Sequence, residues 1–321
     1  MKTFRYVLKR LWLGLITFFI IMTIDFVLIK LLQPELPMMG AEAELEKARR
    51  SALGYDKPIM QQYGIFLKNI VTTGDWGTSW KVDYLKAAQE VIVSKLPPTI
   101  ILNLYSTILS IPLGILFGII AAIYKNKWID HFISIIVMLF ISVPSFVYAF
   151  LLQYGLGYKL GLFPVIVSSL YDAGGSWWTF KMFHSMVLPI LSLSFGAIAG
   201  FTRSVRAELT EALTSEYMLL ARTKGLTRGQ AIRRHALKNA MVPVLPGIIA
   251  FVLSIMSGAI ITEKIFAING IGKLYITSIN LLDYDLFVAT GMFYTAIGLV
   301  VSIVTDLSYG LLDPRIRIGE R

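Results

Sequence analysis

Residues 96–124 read LPPTIILNLYSTILSIPLGILFGIIAAIY, a stretch without a single Asp, Glu, Lys or Arg. A helix needs about 20 such residues to cross a bilayer, and within lipid its backbone hydrogen bonds must be satisfied internally. This run is read as a transmembrane helix, and the rest of the chain is read outward from it. Similar uncharged runs occupy 132–158, 185–202, 241–262 and 286–305. A sixth candidate, 11–32, holds Asp25 and Lys30, and its unbroken apolar stretch ends at Ile24. A cleaved signal peptide competes for that stretch, because it follows Lys2, Arg5, Lys9 and Arg10. The nearest Ala-x-Ala, Ala41-Glu42-Ala43, lies far beyond it, so six spans are expected.

Composition agrees. Residues of the AVILMFWYC set make up 56% and charged residues 16%, where soluble domains carry about 25% charge; mean hydropathy is +0.68. A soluble globule could not bury that much apolar surface, and disorder requires low hydrophobicity. Cysteine is absent, which removes disulfides, thiol catalysis, thiolate metal sites and a lipidated N-terminal Cys. The net charge of +10 is topological first in a membrane protein. Nucleic acid is not expected as a partner, and contact with membrane lipid is.

The basic residues set the orientation. Residues 1–10, 125–131, 203–241 and 313–321 carry 17 Lys and Arg in 65 positions, against 12 in 116 for 33–98, 158–184 and 263–285. Both termini are therefore expected in the cytoplasm. Segment 33–98 is external, with a helix-favouring Ala/Glu/Lys/Arg stretch at 41–52 and a turn at Gly74-Asp75-Trp76-Gly77. Loop 158–184 carries Trp177-Trp178, suited to a membrane interface.

No catalytic inventory accompanies these spans. His131, His184 and His235 are scattered, with no metal-binding pair and no Gly-x-Ser-x-Gly elbow. The sole Gly-Lys, Gly272-Lys273, has Ala267 and Leu274 where a P-loop needs Gly and a hydroxyl. No catalytic residue, metal site or cofactor is expected on this chain.

Residues 203–241 form the longest internal loop, with eight basic residues against Glu208, Glu211 and Glu216. Helical spacing puts Tyr217, Leu220 and Ala221 on one face. Gly225 is placed to end that helix, and Thr227-Arg228-Gly229-Gln230 matches a capping box that starts the next. The second helix is expected from Arg228 to about Ala240, with Pro243 marking the start of the fifth span. Two readings stand: a solvated positive loop touching anionic lipid, or a docking element for a cytosolic partner.

Ala221-Arg222-Thr223-Lys224-Gly225-Leu226, followed by Arg234-His235-Ala236-Leu237-Lys238-Asn239-Ala240 and Pro243, resembles the EAA loop of ABC-importer permeases, in the version of the oligopeptide/dipeptide (Opp/Dpp) B-type subunits. The resemblance extends over nearly the whole chain. Leu53-Gly54-Tyr55-Asp56-Lys57-Pro58, Gln62-Tyr63, Gly74-Asp75 and Gly77-Thr78-Ser79 resemble the family's external segment. Pro98-Thr99 opens the second span and Ser142-Val143-Pro144-Ser145-Phe146 lies in the third. Glu263-Lys264-Ile265-Phe266 with Gly270-Ile271-Gly272 follows the fifth. Asp306, Tyr309 and Leu312-Asp313-Pro314-Arg315 close the sixth. The chain departs from the general EAA signature at Leu219 and Leu220, where Glu and Ala would stand, and at His235 and Lys238, where Ile and Pro would stand. A salt bridge from that Glu therefore does not carry over. Asn269 stands where the family often has Pro.

The resemblance implies an all-α integral membrane protein with six transmembrane helices, the type I ABC importer permease fold, and an external, mostly helical segment between helices 1 and 2. It divides the chain into 1–98, a permease core at 99–313 and a cytoplasmic tail at 314–321. It implies half of a peptide translocation pathway in a bacterial or archaeal cell membrane. The implied partners are a homologous second permease subunit, two cytosolic ATPases that bind ATP and Mg, and an external peptide-binding lipoprotein. Tyr217, Leu220, Ala221, Lys224, Gly225, Thr227, Arg234, His235 and Leu237 would couple to the ATPases. Glu263, Phe266, Gly270 and Gly272 would form an external gate or turn.

Ser142, Pro144, Ser145, Gln153, Ser254 and Ser257, with Asn103, are candidates for the pathway; hydroxyl and amide groups also join helices to one another. Pro112, Pro144, Pro189 and Pro246 are expected to kink or break their helices, which could open carbonyls to a cavity or relieve packing. Lys30 can snorkel outward. Asp25 lies deeper and needs a partner or a water-lined face. Asp306 and Asp313 are read as structural. A permease of the same family for nickel or another small solute, and a secondary transporter using Asp25, are the alternatives.

Overall fold

The computed structural model describes residues 2–32, 44, 47–48, 51 and 54–312. Most of the expected helix at 41–52, and Asp313 with the tail 314–321, lie outside these residues. Among the described residues the regular structure is all helical, and a single β-bridge joins Thr78 to Ala87.

The chain runs through α1 (Lys2–Leu32), α2 (Ile59–Thr73), α3 (Ala88–Ile123), α4 (Trp128–Ser142) and α5 (Ser145–Leu152), which continues into a π-turn at Gln153–Lys159. Then come α6 (Phe180–Thr214), α7 (Glu216–Thr223) and α8 (Arg228–Ala231), which passes through a second π-turn (Ile232–Ala236) into α9 (Leu237–Leu253). A 3₁₀ turn (Ser254–Met256), α10 (Ile260–Ile265), α11 (Ile271–Asn280) and α12 (Tyr284–Leu312) follow. Among the described residues five stretches are long and apolar enough to cross a membrane: Arg5–Leu31, Ala88–Ile123, Phe180–Thr214, Arg228–Ile265 and Tyr284–Gly310.

The expected single crossing at 132–158 is instead a broken one. α4 and the α5 run meet at 100°. Val143 is extended (φ −96°, ψ 126°) and Pro144 caps α5 with ψ 142°. A proline disfavours helical geometry in the residue before it and donates no N–H, so Ser142 is where α4 has to stop. Pro112, Pro189 and Pro246 lie inside continuous helices and do not break them. α3 and α6 form the most extensive helix pair, and they approach closely at two glycines. A Cβ at Gly114 would fall 2.5 Å from that of Phe201, and one at Gly118 2.6 Å from that of Val205.

Apolar burial is distributed along the bundle. Leu102, Met182, Met186, Leu188 and Phe266 are buried in a core where α3, α6 and α10 meet. Leu209, Ala212, Met218, Ala231 and Ala236 form a second at the opposite end. Met22, Val288 and Met292 join α1 to α12, with Phe66 of α2 and Trp76 packed against them. Trp76 is thus half-buried against this cluster. Trp177 likewise packs inward, whereas Trp178 is exposed.

The segment after α2 is less helical than expected: 74–87 is irregular. It is shaped by one carboxylate, that of Asp283, which is fully buried. It accepts from Ser79 Oγ (2.6 Å) and from the backbone N–H groups of Trp80, Lys81 and Val82 (3.1, 3.0 and 3.0 Å). Two residues on, Asp285 accepts from Trp80 Nε1 (3.0 Å) and Tyr55 Oη and pairs with Lys30 Nζ at 3.2 Å. Lys30 is thus held by an ion pair, its side chain 6% exposed, and does not snorkel.

Candidate functional site

α6 runs on past the expected end of its span at 202 to Thr214. Ser215 is extended (ψ 155°), so the chain turns there into α7. The expected common face of Tyr217, Leu220 and Ala221 is split. Ala221 turns inward with Met218, both 5% exposed, onto Leu209, Ala212, Ala231 and Ile232. Tyr217 and Leu220, and Leu219 beside them, are exposed at 37%, 55% and 67%. The buried side is centred between positions 218 and 221, which rotates the apolar arc and leaves Leu220 at its outer edge.

Gly225 has φ +90°. Its N–H donates to the Arg222 carbonyl (3.0 Å) and that of Leu226 to the Ala221 carbonyl (3.3 Å), which closes α7. A Cβ at Gly225 would meet nothing within 4 Å. Glycine is required here by conformation and not by space. The capping box is present: Gln230 N–H donates to Thr227 Oγ1 at 3.4 Å and Thr227 N–H to Gln230 Oε1 at 3.0 Å. Lys224, Arg234 and His235 are exposed, while Leu237 packs partly onto the same core as Ala221. The helix that starts at Arg228 does not end near Ala240. It continues through the π-turn into α9, with Pro243 inside it and not at its start. The extra residue of a π-turn shifts helical register, so Arg233, Arg234 and His235 all stay exposed while Ile232 and Ala236 are buried.

At the other end of the bundle the structure brings Glu263, Phe266, Gly270 and Gly272 together. Glu263 is fully buried. Its carboxylate accepts from Thr99 Oγ1 (2.8 Å) and from the N–H groups of Lys273 (2.9 Å) and Ala259 (3.3 Å). Thr99 Oγ1 accepts in turn from Ile271 N–H at 2.9 Å. A Cβ at Gly270 would lie 2.4 Å from Thr99 Oγ1 and one at Gly272 2.9 Å from the Ile260 backbone, so this turn closes only around glycines. Phe266 is buried and its carbonyl accepts from Val167 N–H at 2.9 Å.

The pathway candidates do not gather into one site. Ser142, Pro144 and Ser145 are exposed at the α4–α5 corner. Gln153 donates to the carbonyls of Val165 (2.7 Å) and Ile265 (3.0 Å), and Ser254 to that of Phe251 (2.7 Å). Asn103 donates to the carbonyls of Ile255 (2.8 Å) and Ser257 (3.0 Å), filling acceptors freed where α9 gives way. Asp25 is half-buried and faces α12 at Gly291, where a Cβ would sit 3.8 Å from its Oδ2. Asp306 pairs with Arg10 at 3.0 Å.

Sequence reasoning missed Asp283 and Asp285, and also Asp130. Arg206 grips Asp130 with two hydrogen bonds (2.6 and 2.8 Å), and Asn126 N–H donates to it at 2.9 Å, clamping the α3–α4 turn to α6. Asp130 in the first turn of an uncapped helix was the available local signal; its partner 76 positions away was not.

Residues 114–318 match the family of the binding-protein-dependent transport system inner membrane component. The dipeptide transport system permease protein DppB of Lactococcus lactis subsp. cremoris is 35% identical over 98% of this chain and 99% of its own length. The glutathione transport system permease protein GsiC of Escherichia coli K12 is 32% identical over 97% and 98%. Among solved structures, the MetNI methionine ABC transporter in an inward-facing conformation aligns at TM-score 0.49 and 16% identity, over 73% of this chain and 98% of that one. With a family match across most of its length and near full-length similarity to curated permeases, the chain belongs to the binding-protein-dependent transport system inner membrane components.

Proposed function

We propose that this chain is one of two homologous permease subunits of an ATP-driven peptide importer in a bacterial or archaeal cell membrane, with both termini in the cytoplasm. Two cytosolic ATPases bind ATP and Mg, and an external lipoprotein delivers the peptide; this chain does no covalent chemistry. Residues 99–313 are the permease core, preceded by the first helix with its external segment and followed by a short tail. The observation that carries the reading is α7. Its inner face is fixed by Met218 and Ala221, while Tyr217, Leu219 and Leu220 are presented outward beside Lys224, Arg234 and His235. An apolar outer face at the end of a membrane bundle needs a cover, and an ATPase subunit supplies it. The names of the relatives, dipeptide and glutathione permeases, support a short peptide as cargo.

Mechanically, ATP closes the ATPase dimer and draws the two α7 elements together. The permease halves then rock, the cavity opens outward to the lipoprotein, and hydrolysis resets it. The turn around Glu263, Phe266, Gly270 and Gly272 keeps the external side in shape, and Ser142, Pro144 and Ser145 line the path at the α4–α5 corner.

The test is uptake of labelled di- to pentapeptides, and of nickel, by cells with and without this chain. Peptide uptake that depends on the chain and on ATP supports the assignment. Nickel uptake that depends on the chain, with peptide uptake unchanged by its deletion, overturns the cargo.

A further inference from the structure

A groove of about 560 Å³ lies between the α3–α4 turn, α6 and the start of α8. Its floor is apolar, with Ile123 and Ile232, and its rim carries Lys125, Lys127 and Arg228. All three cations are exposed, and none has an ion-pair partner among the described residues. Lys127 Nζ rests 5.6 Å above the Tyr124 ring. The nearby carboxylate of Asp130 is already engaged by Arg206 and by Asn126 N–H. Thr210 lines the groove as well. Three exposed cations around one groove, none neutralised by a carboxylate among the described residues, suit a ligand that is anionic and accepts hydrogen bonds.

Phosphate oxygens fit that description, and the surroundings choose between sources. Tyr124 and Trp128 are 41% and 75% exposed where α3 ends and α4 begins, the position of an interfacial aromatic belt. An apolar floor below a basic rim at this level suits a headgroup with its glycerol and first methylenes. Free phosphate would have no use for that floor. Basic pockets between spans on the cytoplasmic side hold anionic headgroups in this way.

We propose that this groove is a binding site for one anionic phospholipid, its phosphodiester held by Lys125, Lys127 and Arg228. The lipid joins the α3–α4 turn to the first residues of α8, and so braces the helix that follows Gly225. The proposal stands apart from the choice of cargo.

The experiment is native mass spectrometry of the full chain from micelles holding equal amounts of phosphatidylglycerol and phosphatidylcholine with the same acyl chains. The wild type should retain one phosphatidylglycerol in preference. The triple variant K125Q/K127Q/R228Q should retain about tenfold less or lower still. The control R233Q/R234Q/K238Q removes three exposed cations outside the groove and should retain the lipid as wild type does. Equal retention of the two lipids, loss in the control as great as in the triple variant, or displacement by millimolar inorganic phosphate would each overturn the assignment.

Discussion

Two residues show how differently a single position can matter here. Gly225 has open space around it but φ +90°, a conformation that costs an ordinary residue about 1–2 kcal/mol and a β-branched one more. Gly225→Val should therefore leave the protein inserted while abolishing transport and peptide-stimulated ATP hydrolysis, and Gly225→Asn, which tolerates that geometry, should retain much of both. Wild-type transport by Gly225→Val would sink the coupling role. Asp283 is the reverse case, since its backbone is ordinary and its side chain organises a loop. Asp283→Ala strands Ser79 Oγ and three amides, each worth about 1–3 kcal/mol when left unsatisfied. Hydrogen exchange at residues 80–82 should rise sharply in that variant and less in Asp283→Asn, which keeps one acceptor oxygen. Slow exchange in Asp283→Ala would remove the carboxylate from its organising role. Gly225 and the Thr227 box were legible in the sequence because turn and cap chemistry is written within four residues. Asp283 was not, because Ser79 lies 204 positions away and nothing in the local pattern points across that distance.

Among the elements, the spans themselves were legible because lipid demands long uncharged runs, and five appear as continuous stretches. The span at 132–158 was misread in shape. Hydropathy is blind to Val143-Pro144, where composition stays apolar while the backbone turns by 100°. That corner exposes Ser142 and Ser145, so Ser145→Trp should lower peptide uptake without loss of assembly with the ATPases; undiminished uptake would take the corner off the pathway. The outer face of α7 was half legible, because the 3.6-residue period marks an apolar arc without saying how it divides between the protein's own core and a partner. Its neighbours Arg233 and Arg234 are exposed without ion pairs among the described residues, and such charges contribute under about 1 kcal/mol. Reversing both should reduce transport far less than Gly225→Val does. The opposite ranking would mean that the loop works by electrostatics.

For the whole molecule, the proposed topology has α2 outside and α7 inside. A Cys at Val71, which is 84% exposed, should react with an impermeant maleimide on intact cells, and one at Thr223 only after permeabilisation. The inverse pattern would turn the molecule over. Within that frame α6 is one uninterrupted rod of 35 residues, about 52 Å at 1.5 Å per residue. It is gripped by α3 at Gly114 and Gly118 and by Asp130 through Arg206. Spin labels at Lys181 and Glu211, both exposed, should then report one separation in every nucleotide state, and a second separation would show the rod to be jointed. A rod of that length is a lever. On the proposed mechanism a tilt imposed at Thr214 arrives at Phe180 with no relay between them, so the two faces of the membrane would share one stroke and could not open on independent schedules.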